Sequence, residues 1–388
     1  MTFSLKDKAA IAGMGMTEFS KNSGRSEMQL AVEAITAALA DAGIEPADVD
    51  GLCTYTLDNN SEVEILRNIG AKDLTYFTRV SFGGGGACAP LMHAAMAVAT
   101  GVAKNVVCYR AMNERSGQRF GQPGTYSLPQ SEILLNDFQI FHGIMVAATM
   151  MAIPMRRYMH ETGATAEDFA NYSIAARKHA ATNPKAFFYG KPITREDYMN
   201  SRMISDPFRL LDCCQESDGA VAFVITTAER ARSLRQKPVY IRAAAQGAPN
   251  GMMLCTSYYK PDIVPREECK VVGDQLYKMA GVSPKDIQTA IIYDHFGPTV
   301  LPSLEGYGFC NPGEAKDFIK NGNIEIGGSL PVNTNGGQLG EAYIHGMNGV
   351  AEAVRQVRGT AVNQVPNVEN VLATAGTGLP TSGLILGA

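Results

Sequence analysis

Two tyrosine–histidine pairs carry the chemical possibilities of this chain. Tyr293 and His295 stand in the run Tyr293-Asp294-His295-Phe296, and Tyr343 and His345 repeat the same two-residue spacing further on. A phenol, with an ordinary pKa of about 10, exchanges a proton with an alcohol and can deliver one to an enolate carbon. Residues two apart on a strand share a face, so His295 would lie beside Tyr293 and orient or tune its phenol, and His345 could serve Tyr343 likewise. The run Phe82-Gly83-Gly84-Gly85-Gly86-Ala87 precedes an uncharged helical stretch. Without side chains there, substrate can approach backbone N–H groups at a positive helix end, with Gly84 and Gly85 as the candidate contacts. The run lacks the G-x-G-x-x-G spacing and the acidic partner of a dinucleotide site, which disfavours NAD. A second glycine turn, Gly336–Gly337, follows Asn333, a candidate oxyanion donor. Each aromatic also has a plain alternative as a packing residue, and each histidine as a structural one.

A weak internal repeat shows which elements must position these groups. Ala42-Gly-Ile-Glu-Pro-Ala-Asp-Val49 is echoed by Ala280-Gly-Val-Ser-Pro-Lys-Asp-Ile287. Each copy ends a helix at glycine, turns at proline and leads into an apolar strand, Gly51–Thr56 or Thr289–Tyr293. An opening strand precedes each copy (Ala9–Ala12; Val239–Ala244). A glycine turn and a helix follow, then a closing strand (Asn105–Cys108; Asn370–Ala373). Strands alternating with helices imply two α/β halves with largely parallel sheets, residues 1–240 and 241–388. An insertion, residues 112–205, holds eight of the eighteen methionines and suits irregular core filling or a large apolar ligand. A later loop, Ala248–Glu268, carries Met252, Met253, Tyr258 and Tyr259 and would close over the same space.

Composition narrows the function classes. At 388 residues with 45% hydrophobic and 19% charged residues, the chain has the make-up of a folded globular protein. Lys+Arg 34 against Asp+Glu 38 leaves a net charge of −4, no footprint for nucleic acid or anionic lipid. The eight cysteines lack metal-ligand spacing with the six histidines and read as free thiols of a reducing, cytoplasmic compartment. Residues 80–103 carry no charge, but Gly83–Gly86, Pro90 and His93 leave only a short apolar helix, better suited to the core than to a membrane.

The duplicated halves, the glycine turn before a buried helix and the late Val332-Asn333-x-x-Gly336-Gly337 segment together resemble the thiolase superfamily over nearly the whole chain. Within it the sequence is similar to the lipid-transfer and sterol-carrier-protein-x branch, whose HDCF and GHP motifs fall at Tyr293-Asp294-His295-Phe296 and at Ala342-Tyr343-Ile344. Tyrosine stands where a thiolase has each histidine. The nucleophilic cysteine aligns near Gly84, with Cys88 about one helical turn further in, and the C-terminal Ala373–Pro380 segment holds no cysteine. These losses argue against Claisen chemistry. Among bacterial proteins the pattern resembles the steroid side-chain-cleaving aldolases, a thiolase-fold group with tyrosines at both sites.

That resemblance implies retro-aldol cleavage of a β-hydroxy steroid acyl-CoA, a 17-hydroxy-pregnene-20-carboxyl-CoA, to a 17-ketosteroid and propionyl-CoA. It implies no metal and no cofactor beyond the CoA of the substrate. Tyr293 is assigned to the hydroxyl and Tyr343 to the enolate, an order the sequence leaves open. The resemblance further implies a homodimer core and a small OB-fold partner, at times carrying a zinc ribbon. Arg115, Arg119, Arg156 and Arg157 are available to the CoA phosphates. Two rival readings stand: a thiolase using Cys88, and a non-catalytic acyl-CoA or sterol-binding subunit. Loss of turnover in Cys88→Ala would mark the first, and indifference to both tyrosines the second.

Overall fold

A computed structural model describes residues 4–117, 119–122, 139–252 and 260–388. Met253, Tyr258 and Tyr259 of the expected closing loop lie outside these residues. The repeat is laid out as its turn chemistry dictates. The Glu27–Ala42 helix stops at Gly43, which takes a left-handed φ of 71°, and a single tight turn at Pro46–Asp48 feeds strand β2. In the second copy the Glu267–Ala280 helix stops at Gly281 (φ 70°) and turns at Pro284–Asp286.

The strands are β1 (Ala9–Met16), β2 (Gly51–Tyr55), β3 (Tyr76–Val80), β4 (Asn105–Asn113), β5 (Met203–Ser205), β6 (Phe208–Arg209), β7 (Asp218–Thr227), β8 (Val239–Gly247), β9 (Thr289–Ile291), β10 (Asn370–Thr374) and β11 (Thr381–Gly387). Among the described residues, nine form one sheet in the order β3-β2-β4-β7-β1-β8-β11-β10-β9. This corrects the expectation of largely parallel sheets. Only β2 with β3, β2 with β4, and β9 with β10 pair parallel; β7 and β11 run antiparallel to their neighbours. The physical reason is the connection: the short span 375–380 can turn β10 back into β11 only as an antiparallel neighbour. Antiparallel pairing of β1 with β8 joins the halves through the middle.

Strand order on either side of that junction is a mirror image. Even the missing counterpart of β3 is present in trace, as a parallel bridge of Ala290 to Val332. The mirror brings the ends of β4 and β9, and both glycine turns, to one place. The uncharged helix Ala89–Thr100 buries most of its length in the core, where Leu91, Ala94 and Ala95 pack with Val106, Phe223 and Ile241, while Met92, His93 and Met96 are half-buried and Thr100 is exposed. Of the inserted segment, the helix Ala147–Thr162 buries Met151 and Met155 against Phe169 and Tyr172, so part of the methionine-rich stretch is core. No helix among the described residues is long and apolar enough to cross a membrane.

Candidate active site

Tyr293 lies two residues beyond the end of β9, and its backbone N–H is tied to Thr374 Oγ1 at the end of β10 (2.9 Å). Its ring stands in a slot of glycines. An added Cβ would lie 2.3 Å from its Oη at Gly84, 2.8 Å from its ring at Gly346 and 3.3 Å from it at Gly376. Tyr343 comes from the turn before the Met347–Arg358 helix, its N–H held by Ser217 Oγ (3.2 Å), the residue preceding β7. The two phenol oxygens are 3.0 Å apart. Both side chains are nearly closed off, 5% and 6% exposed. Burial pushes both phenols well above their ordinary range, so each stays neutral and the pair shares protons rather than charge.

The histidines flank the phenols as the spacing predicts. Ring centroids are 5.4 Å apart for Tyr293–His295 and 5.7 Å for Tyr343–His345. Burial drives His295 down to about 3 and His345 well below its ordinary value, with buried Arg110 adding to the latter, so both imidazoles are neutral. His345 sits in the left-handed region (φ 52°) with its carbonyl accepting from Tyr55 Oη at 2.7 Å. Such a conformation persists only where its surroundings over-determine it.

The pair opens on a cavity of about 870 Å³, also lined by Gly83, Gly84, Glu114, Phe120, Met151 and Leu379. That is the upper part of the range for small-molecule sites. The closed turn bonds run from Gly85 to Phe82 and from Ala87 to Gly84, so the N–H groups of Gly83 and Gly84 precede the first ring, at the cavity wall.

Other expected contacts are placed elsewhere. Gly85 does not line the cavity; a Cβ there would meet the Pro380 carbonyl at 2.1 Å, so its bareness serves packing against the 379–380 turn. Asn333 is likewise displaced from the oxyanion role. Its Oδ1 accepts from Ile292 N–H (2.8 Å) and its Nδ2 donates to Ile292 O and Tyr172 Oη, which consumes the amide in fixing the strand end before Tyr293. The Gly336 and Gly337 N–H groups donate to Asn333 O and Asn335 Oδ1. Asp294, pushed up to about 7 by burial, clamps this second turn by accepting from Gln338 N–H and Tyr172 Oη. Cys88 is wholly buried with Sγ 3.7 Å from Ala373 O, and burial raises its thiol far above the reactive range.

Among the arginines, Arg115 and Arg119 line the cavity, Arg119 paired with Glu216 at 2.6 Å. Arg156 and Arg157 instead pair outward with Asp206 and Glu161 on the exposed face of their helix. Sequence reasoning missed Arg177, Arg202, Cys214 and Glu114 on the cavity wall. A signal for Glu114 existed: it is a charged residue immediately beyond the apolar strand β4, at the strand end where ligands gather in α/β sheets.

Comparison with known proteins places the chain in a family. The chain is 59% identical over 385 residues to the 17-hydroxy-3-oxo-4-pregnene-20-carboxyl-CoA lyase of Mycobacterium tuberculosis, covering 99% of this chain and 100% of that protein. The chain belongs to the steroid side-chain-cleaving aldolases of the thiolase superfamily. It is also 59% identical to the steroid side-chain-cleaving aldolase of Thermomonospora curvata, over 99% of both chains. A family model described as thiolase C-terminal domain-like matches residues 256–387. The solved Ltp2-ChsH2(DUF35) aldolase superposes with a TM-score of 0.95 at 58% identity, covering 100% of this chain and 99% of that one. In this aldolase two neutral phenols touch at 3.0 Å, an arrangement able to pass a proton between them, while Cys88 is sealed in the core.

Proposed function

We propose that this aldolase cleaves a β-hydroxy steroid acyl-CoA of the 17-hydroxy-pregnene-20-carboxyl type into a 17-ketosteroid and propionyl-CoA, and that Tyr293 and Tyr343 move the proton. The 3.0 Å contact between the two phenols carries the reading. In retro-aldol cleavage the bond between the carbinol carbon and the thioester α-carbon breaks. The hydroxyl oxygen's electrons close the ketone carbonyl, and the bond pair becomes the thioester enolate. One phenol accepts the hydroxyl proton, passes its own to the second, and the second protonates the α-carbon. Neither ends up charged, which suits groups that burial holds neutral. We assign Tyr293 to the hydroxyl and Tyr343 to the enolate. His295 and His345, as neutral rings, fix the phenols' orientation. The steps balance without a metal or cofactor, CoA being part of the substrate.

The largely apolar cavity accommodates the steroid, and Arg115, Arg119 and Arg202 on its wall suit the CoA phosphates. The site joins the halves 1–240 and 241–388, since the glycine turn comes from one and both tyrosines from the other. As a cytoplasmic homodimer the chain would pair through the β3 edge, where Phe77 is exposed. The Ltp2-ChsH2(DUF35) neighbour supports a complex with a small OB-fold partner of the DUF35 kind, with or without a zinc ribbon. The test is mass spectrometry of CoA products after incubating the co-expressed complex with the 17-hydroxy-20-carboxyl-CoA steroid. Propionyl-CoA with a 17-ketosteroid is expected; unchanged substrate refutes the substrate assignment.

A further inference from the structure

Asn333 and the Gly336–Gly337 N–H groups being engaged elsewhere, the second half supplies none of its expected donors to the thioester oxygen on which the enolate's charge develops, and a side-chain donor can join the Gly83 and Gly84 N–H groups at the cavity wall. Glu114 lies where one is wanted. It follows β4, whose register with β7 pairs Asn113 with Asp218 and so sets Glu114 opposite Ser217. Ser217 in turn holds the Tyr343 backbone. Glu114 lines the reaction cavity, is 4% exposed, and has its Oε2 without a hydrogen-bond partner. No cation forms an ion pair with it among the described residues.

An anionic carboxylate here, though favoured by the Ser217 N–H and by the charges of Arg110 and Lys21, would be buried without an ion-pair partner and would repel the enolate. A neutral acid has an O–H that must find an acceptor, and rotation about its last side-chain bond is soft enough to aim it. We propose that Glu114 is a neutral-acid donor to the substrate's thioester oxygen, a catalytic residue of the retro-aldol step beyond the tyrosine pair. This rests on the retro-aldol reading above. Burial, with the neighbouring Glu216 adding to it, holds the carboxyl well above its ordinary range, which favours the protonated acid.

The titratable groups facing Glu114 are Glu216, Arg110, Lys21, Arg119, Cys214, Tyr293 and Tyr343. Of these, Lys21 is lowered by burial and is the other group able to shape an alkaline limb. Glu114→Gln separates the two, because glutamine keeps a donor and the shape but cannot ionise.

The experiment measures kcat and KM of the complex from pH 6 to 9.5 for the wild type, Glu114→Gln and Glu114→Ala. The wild type should lose kcat as pH rises through the Glu114 ionisation. Glu114→Gln should keep kcat within about tenfold at pH 6 and lack that limb. Glu114→Ala should lose about 10²–10³-fold in kcat, the effect of removing one oxyanion donor. A glutamine variant as inactive as the alanine one would make the carboxylate a base and overturn the inference, as would an alanine variant with full activity. A second readout needs no turnover: binding of propionyl-CoA against the propyl thioether of CoA, which lacks the carbonyl. The wild type should prefer the thioester by a few-fold and Glu114→Ala should not. An inactive wild type that kept this preference would sink the retro-aldol reading while sustaining the donor.

Discussion

Replacing Gly84 by alanine should disable the proton pair without unfolding the protein. The new Cβ would sit 2.3 Å from Tyr293 Oη and 2.7 Å from Cζ, against an ordinary contact of at least about 3.4 Å. The phenol must therefore retreat by about 1 Å. Sliding sideways is blocked, because Gly346 and Gly376 close the slot on the ring's other sides. A retreat of that size from a 3.0 Å oxygen–oxygen contact breaks the bond to Tyr343. Misplacing a catalytic group by about 1 Å costs on the order of 100-fold, or about 2.7 kcal/mol in the barrier. Gly84 has no left-handed φ, so alanine adds no backbone strain. Folding should lose no more than about 1–3 kcal/mol. Steady-state turnover and a thermal melt of the same preparation check both halves. A Gly84→Ala protein with wild-type kcat would refute the slot and the 3.0 Å relay together.

Four further outcomes follow from the same geometry. Gly85→Ala meets a backbone carbonyl at 2.1 Å that cannot rotate away, so it should lower the melting temperature clearly more than Gly84→Ala does. Tyr343→Phe keeps the ring but removes the relay oxygen, and kcat should fall by about 10²–10⁴-fold with an almost unchanged melt. Cys88→Ala should turn over normally, and iodoacetamide should not inactivate the native protein, since the thiol is sealed and neutral. Asp294 and Glu268 are raised to about 7 by burial, so between about pH 4 and 7 the folded state keeps protons that the unfolded chain releases. Their contribution therefore makes stability fall as pH rises through that window and level off above it, which urea midpoints from pH 4.5 to 8 would show.

What the sequence disclosed was set by how locally each feature is encoded. Glycine stops at 43 and 281 and prolines at 46 and 284 act through their own φ angles, so the repeat could be read directly. Tyr293 and Tyr343 were singled out by the resemblance at two motif positions and their histidines by the two-residue spacing, and the structure brings all four rings together. Gly84 and Gly85 look alike in the sequence, and only Tyr293 facing one and Pro380 facing the other separates them. The same holds for Asn333, whose amide is spent on Ile292 and Tyr172, contacts made across many intervening residues. Arg156 and Arg157 lie on a helix whose exposed face no pair of adjacent cations reveals. Glu114 gave only the signal of a charge just beyond a strand end; its burial is assembled from β4, β7 and the Tyr343 turn, which the sequence does not bring together. Antiparallel β7 and β11 were hidden for a related reason: strand direction depends on the connection, not on the apolar run itself.

The contact between Tyr293 Oη and Tyr343 Oη also has a kinetic signature. If the substrate hydroxyl and two touching phenols hand their protons on in one step, several hydrogens are in flight at the barrier. Rates measured in mixtures of light and heavy water would then curve downward away from a straight line as deuterium content rises. A single proton in flight would leave the plot straight, so the curvature counts how many hydroxyls move together at the 3.0 Å contact.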